Sequence, residues 1–239
     1  MSAPVAVVRC ETRDEASAFA AERLGRALDD GIAARGRAGL LASGGSTPAE
    51  TYRRLAGQAR DWSRVEIGLV DERWVAPTDL RSNEGLLRRT LLVDRAAGAR
   101  LHPMKTEDAT PAAAMAEVDA RYRAAFGGRS DGILLGMGAD GHTASWFAGA
   151  KGLDEALDPD SSLRVVAIDA SGAPVAGDCP LRMTLTLAAV RRGRTIVLLL
   201  FGEEKLEVLE QAACGRDPAR PVSTLLASVG EALTIVWAP

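Results

Sequence analysis

Apolar residues along this chain follow two rhythms. Short runs without alternation occupy 5–8, 39–42, 65–70, 132–135, 164–168, 195–201 and 233–237. They are rich in Val, Ile and Leu, and a run that is apolar at every residue suits a strand covered on both faces. Between them lie stretches of helical period. Ala16, Phe19, Ala20, Leu24, Ala27 and Leu28 fall near one helical face, behind Thr12 and Glu15 at capping-box spacing. Thr47 and Glu50 repeat that spacing with Pro48 at the first helical position. Thr110 and Pro111 open a third helix that runs through Met115, Val118 and Tyr122 to Phe126. Alternation of such strands and helices predicts an α/β fold, one domain over 1–239 with a mainly parallel twisted sheet flanked by helices.

Composition narrows the function classes. The 239 residues are 47% hydrophobic and 26% charged, which gives ample apolar surface for a core and argues against disorder. A net charge of −3 offers no footprint for wrapping nucleic acid or lying on an anionic membrane. Neither partner is expected, and an anionic ligand must be held by local charges. Cys10, Cys179 and Cys214 are odd in number and far apart, so they form neither a disulfide framework nor a zinc spacing. No export signal or long apolar span is legible. The expectation is a soluble cytoplasmic protein acting as a monomer. The Gly/Ala/Pro-rich segment 169–180 reads as an exposed loop.

In open sheets of this kind, ligands bind at the carboxyl ends of strands. The loops to inspect therefore follow Ala42, Val70, Leu135 and Phe201. After Leu135 comes Gly136-Met-Gly-Ala-Asp-Gly-His-Thr-Ala-Ser145, whose glycines permit close backbone approach and which carries His142, one of only two histidines. An imidazole accepts and returns a proton near neutral pH, so His142 is a candidate general base, and Asp140 can orient it or hold the loop. The competing reading is a tight turn whose histidine merely packs.

After Ala42, residues Ser43, Gly44, Gly45, Ser46 and Thr47 lead into a helix, and exposed amides with three hydroxyls make a phosphate cradle. The lysine of a nucleotide P-loop is missing, so ATP is not implied. After Val70, Asp71-Glu-Arg73 precedes Ser82-Asn83. Arg73 presents a planar fork for phosphate or carboxylate oxygens, Asp71 orients it or acts as a base, and Asn83 caps a helix or reaches the ligand. The plain alternative is ion pairing of Arg73 with Asp71 and Glu72. After Phe201, Lys205 falls in the first turn of a helix, where a cation opposes the macrodipole unless an anion is present. Arg182 alternates with Thr184 and Thr186 on one strand face, either lining the site or facing solvent from an edge strand. His102 precedes a proline and reads as structural, and the four tryptophans as packing.

Together, Ser43-Gly-Gly-Ser-Thr-Pro48, Asp71-Glu-Arg73 with Ser82-Asn83, the 136–145 loop, Arg182-Met-Thr-Leu-Thr186 and Gly202-Glu-Glu-Lys205 resemble the 6-phosphogluconolactonases. That resemblance implies hydrolysis of 6-phospho-D-glucono-1,5-lactone in the oxidative pentose phosphate pathway, in a fold shared with glucosamine-6-phosphate deaminase, with no metal or organic cofactor. It also implies His142 as the base that activates water, and a phosphate held by Ser43 to Thr47, Arg73 and Lys205. Trp146 and Ala148 depart from the leucine and proline often found in the family. Two rivals remain in view. One is a sugar-phosphate deaminase with Asp71 as a carbon base; the other is a dinucleotide site at the Gly-x-Gly-x-x-Gly of 136–141. A sugar-phosphate sensor without catalysis would use the same cradle.

Overall fold

The computed structural model describes residues 6–239; Val5, in the run expected at 5–8, lies outside the described residues. The elements in chain order are β1 (Val7–Arg9), α1 (Arg13–Arg35), β2 (Ala38–Ala42), α2 (Ala49–Ala56), β3 (Val65–Leu69), β4 (Asp71–Arg73), α3 (Asn83–Thr90), β5 (Arg100–His102) and α4 (Pro111–Phe126). There follow β6 (Gly132–Leu135), α5 (Leu153–Leu157), β7 (Val165–Asp169), β8 (Leu181–Leu185), α6 (Leu187–Val190), β9 (Thr195–Phe201), α7 (Glu203–Ala213), α8 (Val222–Val229) and β10 (Leu233–Ala238).

Local chemistry explains the helix ends. The Thr12 hydroxyl accepts from Glu15 N at 3.1 Å, and the Glu15 carboxylate takes the amide of Glu11 rather than that of the cap residue. At the other end of α1, Gly36 sits at φ 73 and returns its N–H to Ile32 O, the left-handed stop that glycine adopts without strain. Thr110 caps α4 through Ala113 N, with Pro111 in the first turn as expected. The apolar stripe of α1 packs on β2, β6, β9 and β10. Leu24 and Leu28 are fully buried there, and each contributes about 1.5–3 kcal/mol of apolar transfer energy.

Among the described residues there are two sheets. Seven strands in the order β1-β10-β9-β6-β2-β3-β5 are all parallel. Their carboxyl ends therefore open on a single edge, which is the α/β layer architecture expected. The second sheet, β4-β8-β7, is antiparallel. The strand expected at 164–168 thus belongs to this smaller sheet rather than to the parallel one. Helix α4 touches both sheets, and its Tyr122 hydroxyl takes Leu69 N at 2.7 Å where the chain leaves β3 for β4. No described helix is long and apolar enough to cross a membrane.

Candidate active site

Where the loops after β2, β4, β6 and β9 meet, they line a cleft of about 230 Å³. Its walls hold Ser43, Gly44, Gly45, Ser46, Thr47, Asp71, Arg73, Asn83, His142, Arg182 and Lys205, together with Gly136, Met137, Gly138 and Ala144. Every site residue nominated from the sequence faces this space except Asp140, which acts on its neighbour. Met137 and Ala144 carry no chemical signal, and nothing in the sequence marks them.

His142 is held in a defined way. Its Nδ1 lies 2.6 Å from Asp140 Oδ1, and its ring packs on Phe147 with centroids 4.5 Å apart. Burial would raise the Asp140 carboxyl, but hydrogen bonding from His142 and its charge outweigh that and leave it below its ordinary value. An anionic Asp140 places the proton on Nδ1, so the Nε2 lone pair is available for proton transfer. The turn itself depends on small residues. A Cβ at Gly138 would lie 2.3 Å from the His142 ring, and Gly141 has φ 82. The loop closes with a bridge between Thr143 and Trp146, whose fully buried indole donates to Leu185 O at 2.9 Å. No helix follows Gly141, so the dinucleotide reading falls: the close-packed βα turn it needs is not there.

The cradle differs from expectation in one respect. Helix α2 starts at Ala49 with Pro48 at the N-cap, and the Thr47 hydroxyl caps nothing. Thr47 is left facing the cleft. Among the described residues, the amides of Gly44, Gly45, Ser46 and Thr47 make no hydrogen bond, and the buried Ser43 Oγ has no partner either. Unsatisfied donors in the turn leading into a helix suit an anion. Gly44 presses on Asn83: an added Cβ would sit 1.7 Å from Asn83 Oδ1. Gly44→Ala should therefore break the Asn83 contact with Arg73, costing about 1–3 kcal/mol of stability and weakening affinity for a sugar phosphate. Thermal unfolding together with calorimetry of ligand binding reads both effects.

Arg73 forms no ion pair with Asp71 or Glu72 among the described residues, contrary to the plain alternative. Its Nη1 donates to Arg81 O at 2.6 Å and to Asn83 Oδ1 at 3.0 Å. Asn83 is not the cap of α3, because Ser82 accepts from Gly85 N at 3.0 Å in that role. It instead ties Arg73 to Asp71, donating to Asp71 O at 2.8 Å and to Oδ1 at 3.2 Å. Ser145, unremarked in the sequence beyond its motif, donates to Asp71 Oδ2 at 2.6 Å.

Arg182 is no edge-strand surface residue. Strand β8 is central in its sheet, and Arg182 is 6% exposed. Its guanidinium donates to Cys179 O at 2.7 Å and to Ala176 O at 2.9 Å, and lies 5.2 Å from the Phe147 ring centroid. Segment 169–180 is accordingly part wall and part loop, with Ala170, Ala173, Ala176 and Cys179 buried. Thr186 does not share the strand; it caps α6 through Ala189 N at 3.1 Å. Arg73 and Arg182 are direct partners across β4 and β8. Like charges placed so are destabilising unless an anion is shared, and only Asp71, 4.0 Å from Arg182, offsets them.

Lys205 stands in the first turn of α7, and burial keeps its ammonium below the ordinary lysine value. The cleft thus carries Arg73, Arg182 and Lys205 against Asp71, with Asp140 committed to His142. A surplus of positive charge inside a chain of net charge −3 marks this cleft for a small anion. His102 lies elsewhere: its Nε2 pairs with Glu66, and its ring sits edge-on to Phe126 at 5.5 Å.

Comparison with known proteins agrees with this geometry. A 6-phosphogluconolactonase of Rhizobium meliloti (strain 1021) is 42% identical over 220 residues, 92% of each chain. One from Caulobacter vibrioides is 39% identical over 237 residues, 98% of each chain. The crystal structure of a 6-phosphogluconolactonase from Shewanella baltica OS155 superposes with a TM-score of 0.92 at 34% identity, covering all of both chains. The profile of the family described as glucosamine-6-phosphate isomerases/6-phosphogluconolactonase matches residues 11–235. The chain belongs to that family.

Proposed function

We propose that this protein hydrolyses 6-phospho-D-glucono-1,5-lactone to 6-phospho-D-gluconate, the lactone-opening step of the oxidative pentose phosphate pathway. The observation that carries the reading is one cleft holding both an Asp140-bound imidazole and the cations Arg73, Arg182 and Lys205. His142 Nε2 removes a proton from water, and the resulting hydroxide attacks the lactone C1. Backbone amides of the loops stabilise the oxyanion; as the C1–O bond to the ring oxygen breaks, the imidazolium returns its proton to that oxygen, which becomes the C5 hydroxyl. No covalent enzyme intermediate is required. Ser43 to Thr47, Arg73 and Lys205 grip the phosphate. Grip remote from C1 supplies much of the positioning in a reaction that also runs spontaneously. The protein acts as a monomer in a reducing cytoplasm, in keeping with its three free thiols.

The deaminase alternative needs Asp71 free to move a proton on carbon. Here both Asp71 oxygens are engaged, by Ser145 and Asn83, with Arg182 nearby. Parallel incubations test the choice: acid should be released from the phosphogluconolactone faster than it opens unaided, and no ammonia from glucosamine 6-phosphate. Ammonia release would reverse the assignment.

Asp140→Asn places a neutral amide against Nδ1, so the tautomer is no longer enforced and Nε2 is a weaker base. Turnover should fall by about ten- to a thousandfold, while affinity for 6-phosphogluconate is kept. Steady-state kinetics paired with product binding separates the two quantities.

A further inference from the structure

We infer that Glu72 is a positioning residue, a buried carboxylate that clamps the segment 73–84 so that Arg73 and Asn83 present a preformed grip to the substrate phosphate. The inference rests on the lactonase reading for the identity of that phosphate. Glu72 lies between Asp71 and Arg73 on β4; those two line the cleft and Glu72 does not. It is fully buried, and among the described residues no cation lies within ion-pair distance of it. Four donors converge on its carboxylate instead. Oε1 accepts from Arg73 N at 2.7 Å and Asn83 N at 2.8 Å. Oε2 accepts from Glu84 N at 2.7 Å and Ser82 Oγ at 2.9 Å.

All four donors belong to the stretch that carries the cleft arginine and asparagine. Asn83 N and Glu84 N are the first two amides of α3, which lack a helical partner, and Ser82 satisfies the third through Gly85 N. The carboxylate thus caps α3 from a separate strand and is compensated by the positive end of that helix. Three of the four donors are backbone N–H groups, which can only donate, so the arrangement fits the ionised form.

That ion is costly. Burial pushes the Glu72 carboxyl up from 4.5 to about 7, against the four hydrogen bonds that favour the anion. A raised carboxyl contributes stability that is present at acid pH, below about 4.5, and lost as pH rises through about 7. Ionising Glu72 therefore works against folding, and its retention calls for a functional reason. The charged or titratable groups around it are Arg73 on its own strand, Arg182 on β8, Glu84 on α3 and Tyr122 on α4. Glu84 is already paired with Arg88 at 2.7 Å.

The position carries a distinctive sign. Simple electrostatics says that protonating a nearby carboxylate makes the site more positive and tightens anion binding. A clamp says the opposite, because protonation replaces an acceptor with a donor and loosens Arg73 and Asn83.

The experiment has two arms. Glu72→Gln should raise KM for the lactone about tenfold with kcat changed by less than about threefold, and should add less than about twofold in an Arg73→Ala background. An unchanged KM, or the same increase in both backgrounds, overturns the clamp. The second arm needs no Glu72 variant to fold. Sulfate, dianionic throughout the range, is titrated calorimetrically into the His142→Ala protein, which removes the imidazole charge. Its affinity should weaken as pH falls through about 7. Constant or tightening affinity overturns the inference. Because sulfate binding needs no turnover, a failure of the lactonase reading would show separately, in the activity of the unmodified enzyme.

Discussion

His142→Ala lowers turnover of 6-phosphogluconolactone by about two to four orders of magnitude and leaves affinity for the product nearly intact, the range that general-base removal spans. The reason for so selective a loss is the placement of the ring. Its Nδ1 is bound to Asp140 at 2.6 Å, and its face rests on Phe147, so the side chain has little left to contribute to the fold once Nε2 is excluded. Neither Arg73 nor Lys205 hydrogen-bonds to it, so the phosphate grip survives the change. Because Asp140 stays anionic to below its ordinary range, the acid limb of turnover reports imidazole protonation and not loss of the carboxylate. Rate measurements from pH 5 to 8 on the wild type and the variant check both points, with the variant expected to lose that limb. Unchanged turnover in the alanine variant removes His142 from the chemistry.

Arg73→Ala acts on the other end of the substrate. A charge-assisted fork to phosphate contributes about 1.5–3 kcal/mol, so KM should rise about ten- to a hundredfold. The loss extends past the missing guanidinium. Arg81 O and Asn83 Oδ1 both lose their donor, and Asn83 is also the tie to Asp71. Preference for the phosphorylated lactone over plain gluconolactone should shrink by the same factor, since the unphosphorylated compound never used the fork. Initial rates on the two lactones measure this directly. Undiminished preference would place the phosphate away from Arg73.

Much of this site was legible because its signals are local. The apolar runs ending at Ala42, Leu135 and Phe201 appear as β2, β6 and β9 in one parallel sheet, and a parallel sheet necessarily delivers its loops to one edge. Thr12 and Thr110 cap as read, because a hydroxyl three residues before a free amide is a short-range matter. Thr47 has the same spacing, yet Pro48 takes the N-cap and the hydroxyl turns to the cleft. A ligand-binding loop leaves unsatisfied the groups that an ordinary helix start would pair.

The antiparallel sheet was the hardest part to read. Strand β4 is three residues long and all charged, Asp71-Glu-Arg73, and no hydrophobic rhythm announces it. Two of those three side chains are buried, with Arg182 beside them. Composition places such residues on the surface, and only long-range contacts invert that expectation. Arg182 is fixed by carbonyls of Ala176 and Cys179, in a segment whose sequence reads as exposed loop. The role of Glu72 is hidden for the same reason, since its partners lie ten to twelve positions onward.

The convergence of base and cations on one hexose phosphate is tested most directly by a crystal structure of the wild-type protein with 6-phosphogluconate bound. The account predicts the phosphate against Arg73, Lys205 and the amides of Gly44 to Thr47, with the C1 carboxylate turned to His142 Nε2. A ligand seated outside the cleft, or seated with its phosphate at His142 and C1 toward Lys205, would contradict it.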